Sequence, residues 1–332
     1  MIVRSVSVVN EGFLLGGGGV ELHMRRFDPR LYQIGALSAL LAYGLTALDF
    51  DTTVARCAAI LVTAIATQAL CSRIWSVRFD PRSAAISGLS LCLLLRSNST
   101  LLLLAGAVIA VGSKFVIRWR GKHLFNPTNI AIVALMLVTP HVWVSPGQWG
   151  NVAFFGFLIT CLGGLVVNRA ARSDVTYAFI AAWSAVLIGR SLGLGEPLTI
   201  PLHRMESGAL LLFTFFMISD PKTTPDSRAG RILFAVIVAL GARCVQFKLF
   251  HTNSILWSLA AASLLVPLID ALLPAERYVW NGGSPWSAAS SSSPLSSLPT
   301  LMPSAASTWR RATQRFSIAR RKWSSSATAI AP

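Results

Sequence analysis

Apolar runs separated by short polar or basic interruptions dominate the chain and define ten candidate helices. They are 31–48, 54–72, 83–95, 99–117, 128–139, 150–167, 175–190, 206–219, 231–247 and 253–273. Long apolar runs bounded by charge are what transmembrane helices require. Three runs are short: 83–95, 128–139 and 206–219. A helix rises about 1.5 Å per residue, so the run 128–139 reaches about 18 Å, against roughly 30 Å of bilayer hydrocarbon. Polar residues stand at its start, in "GKHLFNPTN" at 121–129. The pattern predicts an all-α polytopic membrane protein of about ten transmembrane helices, with short, broken helices among them.

Composition strengthens this reading, since 54% of the 332 residues are hydrophobic and 13% are charged. Soluble domains carry about 25% charge. The net charge of +16 does not point to nucleic acid, because the bases punctuate the apolar runs instead of forming one patch. With the N-terminus placed in the cytoplasm, the inner loops hold Arg25, Arg26, Arg30, Arg73, Arg78, Arg82, Arg118, Arg120, Lys122, Arg169, Arg172, Lys222, Arg228 and Arg231. The opposite side holds Arg56, Arg96, Arg190, Arg204, Arg243 and Lys248. This bias predicts ten crossings of a bacterial-type inner membrane with both termini cytoplasmic. Lys114, near the inner end of its run, is expected to snorkel to the surface.

Two internal echoes organise the runs. "SGLSLCLLLRSN" from Ser87 resembles "SGALLLFTFFMISD" from Ser207, and "PTNIAI" around Asn129 resembles "HTNSIL" around Asn253. The offsets, 120 and 124 residues, align the third run with the eighth and the fifth with the tenth. Five helices per half is an odd number, so the second half is expected to lie inverted relative to the first. The halves are 31–139 and 140–273. Inverted repeats with short helices at matching positions point to a site at the repeat interface.

The flanks read differently. Residues 1–30 form an N-terminal segment in which the chain becomes coherent only at Met24, the expected translational start. Residues 274–332 form a tail. Its Ser/Pro/Ala-rich part, 281–308, reads as disordered. Its end, "STWRRATQRFSIARRKW", carries six bases and no acid, with Trp309, Phe316, Ile318 and Trp323 interspersed, a composition suited either to anionic headgroups or to plain solvation.

The chemistry is that of a binding site. Cys57, Cys71, Cys92, Cys161 and Cys244 lie within or at the ends of apolar runs with no Cys-x-x-Cys, so they read as core residues and not as metal ligands. The five histidines lie outside the runs, away from the facing helices a membrane haem uses. No Ser-His-Asp, Cys-His or carboxylate-pair arrangement appears. Asn126 suits an N-cap and Pro127 the first helical position, which starts a helix below the basic loop of Lys122 and His123. The open N–H groups of that helix would favour an acceptor-rich or anionic partner, and Asn129 adds an amide. Equally, Asn126 could cap a helix enclosed by protein alone. In "FMISDPKTTPDSRAGR", Asp220-Pro221 ends the eighth run and Pro225 keeps the loop extended. Lys222, Arg228 and Arg231 are expected around Asp220 and Asp226. Ser207-Gly208 offers close backbone approach.

Ser207-Gly208-Ala209 leading into Asp220-Pro221-Lys222-Thr223-Thr224-Pro225 and then Gly230-Arg231 resembles the NqrB/RnfD family. These are membrane subunits of ion-pumping NADH:quinone and ferredoxin:NAD oxidoreductases. "FNPTN" at 125–129 is similar to that family's Phe-Asn-Pro element. Ten helices in two inverted halves is the family's fold. "GKHLFNPTN" with "WVSPGQWG" and "DPRLYQ" is most similar to the branch found beside enediyne-type biosynthetic genes. The resemblance implies a site at Lys122, Asn126, Pro127, Asn129, Ser207, Gly208, Asp220, Thr223 and Thr224. It also implies a flavin cofactor (FMN or riboflavin) or a quinone, with other membrane redox subunits as partners. In the family a Ser-Gly-Ala-Thr motif carries FMN on the threonine. Here Leu210 stands in its place and has no hydroxyl to esterify, so the implied flavin is non-covalent. Two other functions fit the same pattern: a transporter of an ion or lipophilic product, and a scaffold without cofactor.

Overall fold

The computed structural model describes residues 28–144, 162–168, 170, 172–205 and 207–276, all within one compact unit. The expected start at Met24, most of the run 150–167 and the Ser/Pro-rich basic tail lie outside the described residues. The other runs become helices close to their expected bounds. In chain order these are α1 (Pro29–Ala47), α2 (Val54–Ile74), α3 (Pro81–Leu94), α4 (Thr100–Val116) and α5 (Pro127–Val138). After α6 (162–168) come α7 (Ser173–Leu194), α8 (Thr199–Met205), α9 (Gly208–Leu212), α10 (Arg228–Phe247), α11 (Ser254–Ser263) and α12 (Val266–Leu272).

Local chemistry sets the ends. Side-chain oxygens of Asp28, Thr53, Asn126 and Ser227 accept first-turn N–H groups of α1, α2, α5 and α10. The helix α7 ends at Gly195, whose φ of 68° is the left-handed stop that glycine takes without penalty.

Among the described residues, α2, α7 and α10 are long and apolar enough to cross a membrane. The pair α11–α12, bent by 51°, makes a fourth if taken as one span. Apolar side chains on their outer surfaces face outward, as in Val62, Leu70 and Ile74 of α2 and Leu233 and Leu240 of α10. A helix that exposes such residues is solvated by lipid and not by water. The fold is that of a helical multi-pass membrane protein. The short apolar helices α3, α5 and 208–217 pack against this frame. Where α10 meets α11, Gly241 leaves room for Ser258, and a Cβ there would lie 2.4 Å from the Ser258 Oγ. That hydroxyl donates to the Val238 carbonyl at 2.7 Å, the small-residue contact that membrane helices favour.

Two short strand pairs break the all-α expectation. Strand β1 (Leu95–Ser97) leaves α3 directly and pairs antiparallel with β4 (Val142–Val144), so that Arg96 lies opposite Trp143. Strands β2 (Arg118–Trp119) and β3 (Lys122–His123) form a hairpin between α4 and α5. Its two-residue turn, Arg120-Gly121, has φ values of 49° and 79°. Positive φ at both central positions is the turn that matches the twist of a tight hairpin.

Two basic residues depart from expectation. Arg96, placed among the outer loops by the charge pattern, is 2% exposed and donates to the carbonyls of Cys92 (2.8 Å), Leu95 (2.9 Å) and Leu93 (3.3 Å). It caps the open carbonyls of α3 where the helix stops inside the protein. Lys114 does not snorkel. It is 4% exposed, and its ammonium donates to the Ser83 carbonyl at 2.8 Å and hydroxyl at 3.0 Å. Replacing Arg96 with methionine is expected to strand those carbonyls and lower unfolding stability by about 1–3 kcal/mol. Thermal unfolding in detergent measures this, and an unchanged midpoint would refute the capping role.

Candidate functional site

The chain from Ser207 to Asp220 organises the site. Helix α9 begins at Gly208 and, after one turn, widens over Phe213–Met217, where the Ile218 N–H reaches back to the Phe213 carbonyl at 2.9 Å. Such π turns recur at functional sites because they turn side chains and carbonyls out of helical register. Thr176 on α7 donates to the Thr214 carbonyl at 3.1 Å and Thr214 to Leu210 at 2.7 Å, which together stabilise the widened turn.

The start of α5 is bound to this turn. Asn126 accepts the Asn129 N–H at 3.1 Å through Oδ1 and donates through Nδ2 to the Met217 carbonyl at 3.2 Å. Asn129, fully buried, donates to the Leu256 carbonyl of α11 at 3.2 Å, while its Oδ1 has no hydrogen-bond partner among the described residues. The two asparagines thus tie α5 to both the π turn and α11.

Two cavities lie on either side of the Met217 segment. The larger, about 850 Å³, is walled by Leu94, Val144, Trp183, Leu187, Phe213 and Met217. Its polar parts come from Ser207, His203, Arg204, Gln246 and the start of α11 at Asn253–Leu256. Trp183 stacks parallel to Phe179 at 6.4 Å, and Phe179 meets Phe213 at 5.1 Å, so the aromatic wall is rigid. The smaller cavity, about 210 Å³, is lined by Asn126, Pro127, Thr128, Lys114, Asp220 and the serines of α3, among others. His123 also lines it. Burial, together with the charges of Lys114, Arg118 and Lys222, lowers the imidazole's proton affinity to a pKa of about 3, so it stays neutral near pH 7.

The predicted site residues therefore divide. Ser207 and Gly208 line the large cavity, as do Ala209 and Leu210. Asn126, Pro127 and Asp220 line the small one. Asn129 lies buried behind the helix start. Lys122 lines neither. Its ammonium bridges Asp226 (3.1 Å) and Asp270 (2.9 Å), while Asp270 also accepts the Asp226 N–H at 2.8 Å. The hydroxyls of Thr223 (3.3 Å) and Thr224 (3.0 Å) close the Asp-Pro turn on the Asp220 carbonyl. Of the bases expected around Asp220 and Asp226, Arg231 instead grips Asp174 at 2.5–2.9 Å and donates to the Asp226 carbonyl at 2.6 Å.

The sequence reading missed Trp183, His203, Arg204 and Gln246, which come to the large cavity from α7, α8 and α10. No spacing links these four residues, and only the folded chain brings them together. The repeat echo at Asn253 was a usable signal, since the start of α11 faces that cavity.

The NQR2, RnfD, RnfE family model matches residues 143–278, which include the π turn, the Asp-Pro loop and α11. The D component of the ion-translocating oxidoreductase complex of Erwinia tasmaniensis is 30% identical over 125 residues, 37% of this chain and 34% of that protein. The corresponding protein of Aeromonas hydrophila is 24% identical over 298 residues, covering 66% of this chain and 85% of that protein. That of Buchnera aphidicola is 31% identical over 78 residues, 24% of this chain and 22% of its own length. The match thus spans about a third of the first of these relatives, and a longer, weaker similarity extends over most of the second. Together these matches place the chain in the NQR2, RnfD, RnfE family.

Proposed function

We propose that this protein is a membrane subunit of an ion-translocating oxidoreductase assembly that holds a non-covalent flavin, FMN or riboflavin, in the large cavity. The observation that carries this reading is the cavity itself. At about 850 Å³ it lies within the roughly 300–1,000 Å³ of small-molecule sites, and it is lined by Ser207–Leu210 facing the start of α11. Its residues fit a flat ring system with a polar edge. Trp183, Phe213, Leu187 and Met217 supply apolar walls, while Ser207, Gln246 and Asn253 supply donors and acceptors. His203 and Arg204 give one end a basic character suited to a phosphate. Leu210 presents only carbon to this space and cannot form the ester that a threonine would. A bound flavin would supply electron transfer, which the side chains of this chain lack. The protein's part is to orient the ring, exclude water and leave donor and acceptor to partner membrane redox subunits. A quinone head is the second candidate for the same space.

The same proposal includes ten segments in two inverted halves, 31–139 and 140–273, with both termini cytoplasmic in an inner membrane. The Lys/Arg bias and the paired motif offsets support it, as do the asparagines Asn126 and Asn253 at the caps of α5 and α11. The similarity to the enediyne-associated branch supports placement in that subgroup.

Purified protein, incubated with FMN or riboflavin and stripped of excess, is expected to keep one flavin per chain and to release it on denaturation. A folded preparation that retains neither flavin overturns the cofactor assignment.

A further inference from the structure

The small cavity holds chemistry that the flavin reading does not use. Lys114 on α4 and Asp220 after the π turn both line it, and both are withdrawn from bulk solvent. Two hydrogen bonds to Ser83 engage the Lys114 ammonium, leaving its third N–H for the cavity. The Asp220 Oδ1 accepts the Lys222 N–H at 3.0 Å, and its second oxygen takes no hydrogen bond from the described residues. A structural ion pair would bring these charges into contact. No salt bridge within 4.0 Å joins them. They face one space of about 210 Å³ whose serines, Asn126 and Thr128 give several waters the polar partners they need.

The other charges facing this space are accounted for. Arg30 pairs with Asp80 at 2.5 Å and with Asp28 at 2.6 Å. His123 stays neutral. Lys222 and Arg172 act on Asp220 with the same sign as Lys114. Burial pushes the Asp220 carboxyl above the usual carboxylate range, while the Lys222 N–H and these cations pull it back. The positive surroundings disfavour an added metal cation. Ionisable groups held at such a depth mark ion or proton pathways.

We propose that this cavity is a proton-binding site, hydrated from the hairpin side, in which Asp220 accepts a proton and Lys114 sets its affinity. The step is balanced within the site. A proton from the cavity water forms an O–H bond on the Asp220 carboxylate, water is left behind, the ammonium of Lys114 is unchanged, and release is the reverse. The site does not depend on what fills the larger cavity.

The test is infrared difference spectroscopy of the full chain in lipid nanodiscs across pH, with no added flavin. A carboxylic C=O band is expected to grow on acidification and to be absent from Asp220→Asn. In Lys114→Met the band is expected to form at higher pH, by about one unit or more, because the cation that favours the carboxylate is gone. Lys114→Arg, which keeps the charge, is expected to hold the wild-type midpoint. A spectrum without a band that Asp220→Asn removes overturns the proposal. So does a midpoint unmoved in Lys114→Met, or one displaced by exchanging sodium for a bulky organic cation, which would assign a metal ion instead. If Lys114→Met does not assemble, the wild-type minus Asp220→Asn spectrum and the sodium exchange decide.

Discussion

Lys122→Met is expected to destabilise the protein by about 3 kcal/mol, the low end of what removing one partner from a buried ion pair costs. The ammonium sits between Asp226 and Asp270, with side-chain exposures of 11%, 13% and 23%. Its removal leaves two carboxylates side by side, one of them also holding the Asp226 N–H. The consequence reaches the site because Asp226 belongs to the Asp-Pro loop and Lys122 to the hairpin that leads into α5. The cation therefore joins the start of α5 to the loop that follows the π turn. Thermal unfolding in detergent should show a lower midpoint for Lys122→Met. Lys122→Met with Asp270→Asn should lose less than the sum of the two single changes, since the second change relieves the repulsion left by the first. Strict additivity would show that the three charges are solvated separately and that the clamp does not exist.

That clamp also shows where sequence reading succeeds and where it stops. The helices were legible because an apolar run between charges has one low-energy outcome in a bilayer. The N-cap at Asn126 was legible because Asn-Pro is a local signal with a local cause, and the structure places the helix start there. Lys122 was legible as a site residue only by resemblance. Its two partners, Asp226 and Asp270, lie far along the chain, and nothing in the spacing names them. Arg96 and Lys114 went the other way. Hydropathy treats a base near the end of a run as surface-bound, yet both find buried oxygens, on the frayed end of α3 for one and on Ser83 for the other. The π turn was invisible as well, since "FTFFM" has no composition that separates it from an ordinary helical turn. The expected single site became two cavities for the same reason. Asn126 turned out to bind the Met217 carbonyl, and that contact places a wall where the sequence suggested an opening.

The aromatic wall of the large cavity gives the second large effect. Trp183→Ala removes a side chain that is 6% exposed and stacked on Phe179, so a cost of about 3–5 kcal/mol is expected from lost burial and the space left behind. Loss of flavin from such a variant would not separate a damaged fold from a damaged site. Trp183→Phe does separate them, because it keeps an aromatic ring against Phe179 and most of the buried area. If the flavin lies in this cavity, indole is its nearest electron-rich neighbour and quenches its fluorescence. Trp183→Phe is then expected to retain the flavin with near wild-type occupancy and to raise its fluorescence yield several-fold. The measurement is emission per mole of bound flavin, with occupancy taken from the amount released on denaturation. An unchanged yield at equal occupancy would place the flavin elsewhere, beyond the reach of α7, and would leave the large cavity to a different occupant.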